Sequence, residues 1–399
     1  MIVPRALTNA RCLRRLVGVL ASAVVIIAVG GSTAAAAAPR LPARFFGIAA
    51  GSTLFDPRVN LDQQLGAMRK AGTGSIRFPV YWSRAQPYAT RLRVPVSQRG
   101  QFVSAGGRPT AFAQLDRQIL AYAKHHLYMI PTVLEAPTWA RLSPGAQWSP
   151  PAHPIDYARF VGALVKRYGT RGSFWTKHHG LARWAPTWWQ IWNEPAGGGT
   201  PEDSTYFWDG PKPYEPRYVE MLRLSRRAVR AADPHARILL AGLFGASWNA
   251  LAALYRYGAG GSFDGVAVHP YAETPAHVLT ILEYVRAVMA SHHATRMPLL
   301  VTEAGWTSSE GQPAAGSSGQ GIETTVSRQA SNLTGEYSLL AANRRKLNLQ
   351  GIFWFTWIGA EPNQDPFEYA GLFRLTASGE IQAKPAYSAY SRILRRLEG

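Results

Sequence analysis

Thr187-Trp188-Trp189-Gln190-Ile191-Trp192-Asn193-Glu194-Pro195 is a run of β-branched and aromatic residues that ends in a carboxylate and a proline. Such a run favours a strand. Proline cannot continue the ladder, and it holds the residue before it in extended geometry. Glu194 therefore stands at the lip of a strand with Asn193 beside it. Met297-Pro-Leu-Leu-Val-Thr-Glu303-Ala-Gly-Trp306 repeats the design: an apolar run delivers Glu303 to a strand end, and a glycine follows two residues on. Two carboxylates at the ends of two buried strands are the minimum for cleaving a glycosidic bond. One protonates the leaving oxygen; the other attacks the sugar or activates water.

Outward from these motifs, apolar runs alternate with segments of helical period. Strands are expected at 45–49, 75–80, 128–134, 187–192, 238–243, 265–269, 299–303 and 352–357. Helices are expected at 60–71, 111–126, 155–168, 215–232, 247–257, 276–291, 324–346 and 385–397. This alternation predicts an α/β chain, a single (β/α)8 TIM barrel over 40–399. Several strands are apolar on nearly every residue, as strands buried on both faces are. Segments 82–110, 135–154, 195–214, 304–323 and 358–383, which follow strands, are long, whereas those entering strands are short. In such a barrel the face that follows the strands builds the site. No repeat beyond the alternation and no separate binding module is visible.

The two glutamate motifs resemble those of the clan A glycoside hydrolases, the (β/α)8 enzymes that include families 5 and 39. Trp192-Asn-Glu-Pro195 is similar to the clan's acid/base motif, and Thr302-Glu-Ala-Gly-Trp306 to its nucleophile motif. The resemblance implies a retaining glycosidase with Glu194 as acid/base and Glu303 as nucleophile. Double displacement needs their carboxyls roughly 5–5.5 Å apart. It implies that Asn193 bonds the sugar 2-hydroxyl. It also implies that Arg77, in Ser75-Ile-Arg-Phe-Pro79, lies beside the nucleophile, where its charge favours a carboxylate. In His269-Pro-Tyr271, the tyrosine would bond the nucleophile and the histidine would line the subsite. Read from the residues alone, Arg77 needs a carboxylate somewhere in the barrel, and His269 could equally be a core residue.

Trp357 ends Phe353-Trp-Phe-Thr-Trp357, where the clan floors the cleavage subsite with a tryptophan. Trp354 competes for that role, because alternation puts 353, 355 and 357 on one face and 354 on the other. The tail Gly371-Leu-Phe-Arg…Lys384-Pro-Ala-Tyr387 is also similar to the clan's, so the resemblance covers nearly the whole chain beyond the leader. An equatorial linkage, such as a β-glucoside, β-mannoside or β-xyloside, is a further implication of the resemblance.

Sugars present C–H faces that pack on aromatic plates. Of 13 tryptophans, many fall in the long loops or at strand ends, and Trp82, Trp139 and Trp306 join Trp357 as candidate sugar contacts. Several such loops point to an extended cleft, and hence to endo action on an oligo- or polysaccharide.

Arg5, Arg11, Arg14 and Arg15 precede an apolar stretch and an alanine run, so 1–38 reads as a secretory signal. A retained anchor is the rival, since the uncharged stretch 16–39 is long enough to span a bilayer. After cleavage the expected product is a secreted monomer without stable membrane insertion. Its lone cysteine, Cys12, lies in that leader, which excludes a disulfide framework. The net charge is +19, yet no run of five basic residues exists. Nucleic acid is therefore not expected as a partner. No metal or other cofactor is expected: the pairs His125-His126 and His292-His293 sit on helical segments where neighbours point apart. Two other classes stay open, a carbohydrate-binding barrel without turnover and a basic protein that binds polyanions or cell surfaces.

Overall fold

A computed structural model describes residues 41–196, 207–312 and 321–398; the expected signal segment 1–38 lies outside them. The first four barrel strands are Phe46–Ala49, Ser75–Tyr81, Tyr128–Leu134 and Trp188–Ile191. The fifth comes in two pieces, Arg237–Leu239 and Leu243–Phe244, and the last three are Val266–His269, Leu299–Ala304 and Leu349–Phe355. Each pairs in parallel with its neighbour, and the eighth returns to the first through Gly47↔Phe353. The split strand closes the ring. Its first piece pairs with the fourth strand, its second with the sixth, and Leu239 bridges to Gly265. This is the (β/α)8 TIM barrel that the alternation predicts.

Eight helices cover the cylinder: Leu61–Ala71, Ala113–Lys124, Pro154–Tyr168, Glu215–Ala232, Ser247–Arg256, Pro275–Ser291, Val326–Asn343 and Pro385–Glu398. Local chemistry sets several ends. Asn60 accepts from the Gln63 amide and Thr274 from the His277 amide, satisfying helix-start donors. The barrel interior is filled by Ala49, Ile130, Leu239, Ala267, Leu300 and Phe353. Gly47 makes room for the Phe353 ring, since a Cβ there would stand 2.3 Å from the ring.

Three differences from the sequence reading have physical causes. The expected strand 238–243 breaks after Leu239, beside Gly242. A Cβ on Gly242 would stand 1.9 Å from His269 Nε2, so the chain yields this place to the imidazole. The expected strand 352–357 ends at Phe355, leaving Trp357 beyond the ladder. Segment 358–383 is not featureless: Ile358–Ala360, Phe373–Leu375 and Ile381–Ala383 form a small three-stranded sheet of their own. No helix among the described residues is long and apolar enough to cross a membrane.

Outside the mouth, one buried carboxyl has no partner among the described residues: Glu336, on the helix Val326–Asn343, is fully buried, and neither oxygen makes a hydrogen bond. Burial pushes its pKa up from 4.5 to about 8. The folded state thus holds the proton more tightly than the unfolded chain. The carboxyl costs nothing extra below pH 4.5, and the penalty grows as pH rises to about 8. Glu336→Gln is expected to raise Tm by an amount that increases from pH 5 to pH 9. Thermal melts across that range check it, and a gain independent of pH would contradict it.

Candidate active site

Strand ends and two backbone irregularities bring the motif glutamates together. Trp192 and Glu194 carry φ of 67° and 39°, a region that non-glycine residues occupy only at a cost. The turn sends Trp192 outward, where its Nε1 donates to the Phe207 carbonyl and its ring packs on Tyr157, and it leaves Glu194 at the mouth. On the seventh strand the register with the eighth shifts between Val301 and Ala304, an extra residue on one side. A bulge of this kind re-aims side chains. Here Thr302 and Glu303, adjacent in sequence, both reach the site.

Glu194 and Glu303 are each 8% exposed. A carboxylate oxygen of each and a ring nitrogen of His269 all lie within 4.8 Å of one another. Arg77 ties the cluster from the second strand. Its Nη1 donates to Glu303 Oε1, its Nη2 to Asn193 Oδ1, and its Nε to Gln190 Oε1 at 2.7 Å. Thr132 Oγ1 also donates to Gln190 Oε1, at 3.0 Å. Tyr271 Oη donates to the other Glu303 oxygen, Oε2, at 3.0 Å. His269 Nδ1 meets Glu194 Oε1, and its Nε2 meets Thr302 Oγ1 at 3.0 Å.

Burial sorts the charges. It pushes Glu194 up to about 7, against the opposing pull of Arg77. It pushes His269 down to about 3, partly resisted by the nearby Glu303 charge. Tyr271 is driven well above its usual value by burial beside two carboxylates. At neutral pH the imidazole is therefore uncharged, and Glu194 is poised between its two forms. Glu194, His269 and Glu303 also form a group close enough to chelate a cation. The Arg77 guanidinium inside the same cluster opposes a dication there.

A cavity of about 450 Å³ opens above this cluster. Asn193, Glu194, Tyr271 and Glu303 line its floor, and Phe207, Phe244, Phe355 and Phe367 supply aromatic walls. Gln364, Asp365 and Pro366 complete it from the segment after the eighth strand. That segment is pinned by Lys384, whose buried ammonium donates to Ser308 Oγ, Glu361 Oε1 and the Tyr369 carbonyl at 2.7–2.8 Å.

The structure thus gathers Glu194, Glu303, Asn193, Arg77, His269 and Tyr271 at one mouth. The four tryptophans expected to hold sugar are placed elsewhere. Trp82 stacks on Phe160 inside the core, and its Nε1 is taken by Gln86. Trp139 Nε1 donates to the Gln86 carbonyl, and its ring lies under Arg108. Trp306 is buried and bonded to the Glu273 carbonyl. Trp357 bonds Gln64 and packs on Phe373 and Tyr387. In each case the indole N–H finds its partner within the fold, as buried indoles usually do. Phe355, on the inward face of the eighth strand, lines the cavity that Trp357 is expected to floor. Strand alternation around 353 and 355 signalled that face. Phe244, Phe367, Gln364 and Asp365 carried no sequence signal.

No family model and no curated protein matches the sequence. Solved structures do match. A family 39 glycoside hydrolase from the gut symbiont Bacteroides cellulosilyticus WH2 is 16% identical with a TM-score of 0.62, over 90% of this chain. The two share the (β/α)8 barrel fold. This chain spans only 64% of that enzyme's length. A GH5_18 protein from Streptomyces cattleya, solved in complex with GlcNAc, is 16% identical with a TM-score of 0.61, covering 90% of this chain and 81% of its own. A monomeric beta-xylosidase from Caulobacter crescentus CB15 is 18% identical with a TM-score of 0.55, covering 89% and 69%. These proteins share the barrel with this chain, and at such identities the likeness speaks for the fold alone.

Proposed function

We propose that the chain is a retaining glycoside hydrolase that cleaves O-glycosidic bonds of an oligo- or polysaccharide by double displacement. One observation carries this reading: two buried carboxyls, with oxygens within 4.8 Å of each other, share a mouth but not an environment. Such closeness supports double displacement, in which the two carboxyls stand roughly 5–5.5 Å apart across one anomeric carbon.

In the first step a Glu303 oxygen bonds to the anomeric carbon as the bond to the leaving oxygen breaks, and Glu194 gives that oxygen its proton. In the second, Glu194 takes a proton from water, whose oxygen displaces Glu303 from the sugar. Arg77 and Tyr271 aim the two Glu303 oxygens. Arg77 also occupies Asn193 Oδ1, so the Asn193 amide nitrogen is left for a sugar hydroxyl. His269 holds Glu194 Oε1 and leaves Oε2 for the scissile oxygen. No cofactor enters this scheme, and export fits the basic, apolar leader of 1–38.

Endo action stays a proposal: Trp82, Trp306 and Trp357 are engaged in packing, whereas Trp139 and Trp148 are only partly buried. A cavity of about 450 Å³ walled by phenylalanines suits a short stretch of glycan. Release of nitrophenol from a panel of aryl glycosides tests the proposal, and digestion of polysaccharides read by mass spectrometry identifies the product length. A folded protein that binds sugar without turnover on any panel member would favour the carbohydrate-binding barrel instead.

Gly242 offers a test away from the carboxyls. Gly242→Ala places a methyl where His269 Nε2 now sits and must shift the ring off Glu194. A displacement of about 1 Å at such a site costs on the order of 100-fold in kcat/KM. Steady-state kinetics on a reactive aryl glycoside, with circular dichroism as a check on folding, would show it. Unchanged kinetics in a folded variant would remove His269 from the mechanism.

A further inference from the structure

The opposite end of the barrel carries a second built cavity, of about 380 Å³. Its lining comes from the residues that begin strands: Ser75, Tyr128, Trp188, Arg237 and Leu300 are at or near the first positions of five of them. This face ordinarily serves stability, not chemistry. Four arginines ring the hollow, Arg44, Arg183, Arg237 and Arg296, and no acidic residue lines it. All four are exposed, and among the described residues none forms an ion pair or donates a side-chain hydrogen bond. The nearby Asp264 is already engaged by Arg226, Arg230 and the Ile238 amide. Trp188, under Arg237, and the half-exposed Tyr128 add aromatic faces at the rim.

We propose that this basal cavity is an anchoring site for an anionic polysaccharide chain, separate from the catalytic mouth. Four unpaired guanidiniums around one hollow match carboxylate or phosphate groups spaced along a polymer, and the aromatic rim offers plates for sugar C–H faces. The mouth has the opposite character, with Glu194, Glu303 and Asp365 in its lining. An acidic chain is attracted to the base and repelled from the mouth. The site accounts for part of the +19 charge and does not depend on the reading of the mouth.

Titration calorimetry of the full-length chain with tetragalacturonate, and with inorganic pyrophosphate at matched charge, tests it. Tetragalacturonate should bind more tightly than pyrophosphate and weaken steeply with salt. R44Q/R183Q/R237Q/R296Q should lower that affinity at least about tenfold. R117Q/R227Q/R328Q/R392Q, with the same loss of charge on the helices, should leave it within about twofold. Hydrolysis of a neutral aryl glycoside should be unchanged in both. Independently of any variant, tetragalacturonate should protect Arg44, Arg183, Arg237 and Arg296 from a guanidine-specific dicarbonyl reagent, mapped by mass spectrometry. Absence of binding, an equal loss in the helix variant, protection spread over all arginines, or pyrophosphate binding as tightly as the oligosaccharide would overturn the proposal.

Discussion

Glu303→Ala is expected to lower kcat on an aryl glycoside by about 10⁴-fold or more, as removal of a nucleophile does in enzymes whose catalytic residues act as a unit. Sodium azide should then restore turnover. The alanine leaves a hole walled by Arg77 and Tyr271, the two donors that held the lost oxygens. A small anion suits that hole, because Arg77 is buried and loses its ion-pair partner. Azide attacks the anomeric carbon from the nucleophile's side, the leaving aryloxide departs, and the product is a glycosyl azide of inverted configuration. Breaking a buried pair costs about 3–5 kcal/mol, so the variant should also melt earlier, and azide should recover part of the loss. Proton magnetic resonance of the product settles its configuration. Substantial activity without azide, or a folded variant that azide does not rescue, would remove Glu303 from the nucleophile's role.

Glu194→Ala should produce a different signature. The first step loses its proton donor, so the loss follows the leaving group. It is small for a dinitrophenyl glycoside and about 10²–10⁴-fold for a glycoside with a poor leaving group. Azide should here give a glycosyl azide of retained configuration, because it attacks the glycosyl–enzyme in place of the activated water. The pH profile gives an independent readout. An acid pushed up to about 7 by burial holds its proton below that pH and loses it above. Wild-type kcat/KM should therefore fall as pH rises through about 7, and the variant should lack that limb. The same shift has a stability side. The folded state binds this proton more tightly than the unfolded chain, so the carboxyl's cost appears as pH rises from 4.5 to about 7. Equal losses across leaving groups, with the alkaline limb intact, would exclude the acid role.

The wall of the cavity shows where reading along the chain stops. Tryptophans at strand ends are good sugar plates in general, but Trp139, Trp306 and Trp357 bond partners that lie elsewhere along the chain, and Trp82 stacks on the distant Phe160. Gln64, for instance, is 293 positions from Trp357. Phe244 and Phe367 enter the wall from segments that only the closed cylinder brings together. The same holds at the base, where Arg44, Arg183, Arg237 and Arg296 look scattered in sequence and converge because Arg237 begins a strand and the other three lie in the segments that lead into strands.

By itself the sequence determined the alternation of strands and helices, and with it the barrel. It also determined which glutamates sit near strand ends, although the fourth strand stops at Ile191 and Glu194, at φ 39°, departs from the extended geometry expected before Pro195. Tertiary structure alone decided that Glu194 and Glu303 meet, through the positive φ at Trp192 and Glu194 and the bulge after Val301. It also decided that Gly242 yields its place to His269 and that phenylalanines, not tryptophans, wall the mouth. Local preference is written in neighbours a few residues apart, whereas direction and contact depend on closing a ring from segments hundreds of residues apart.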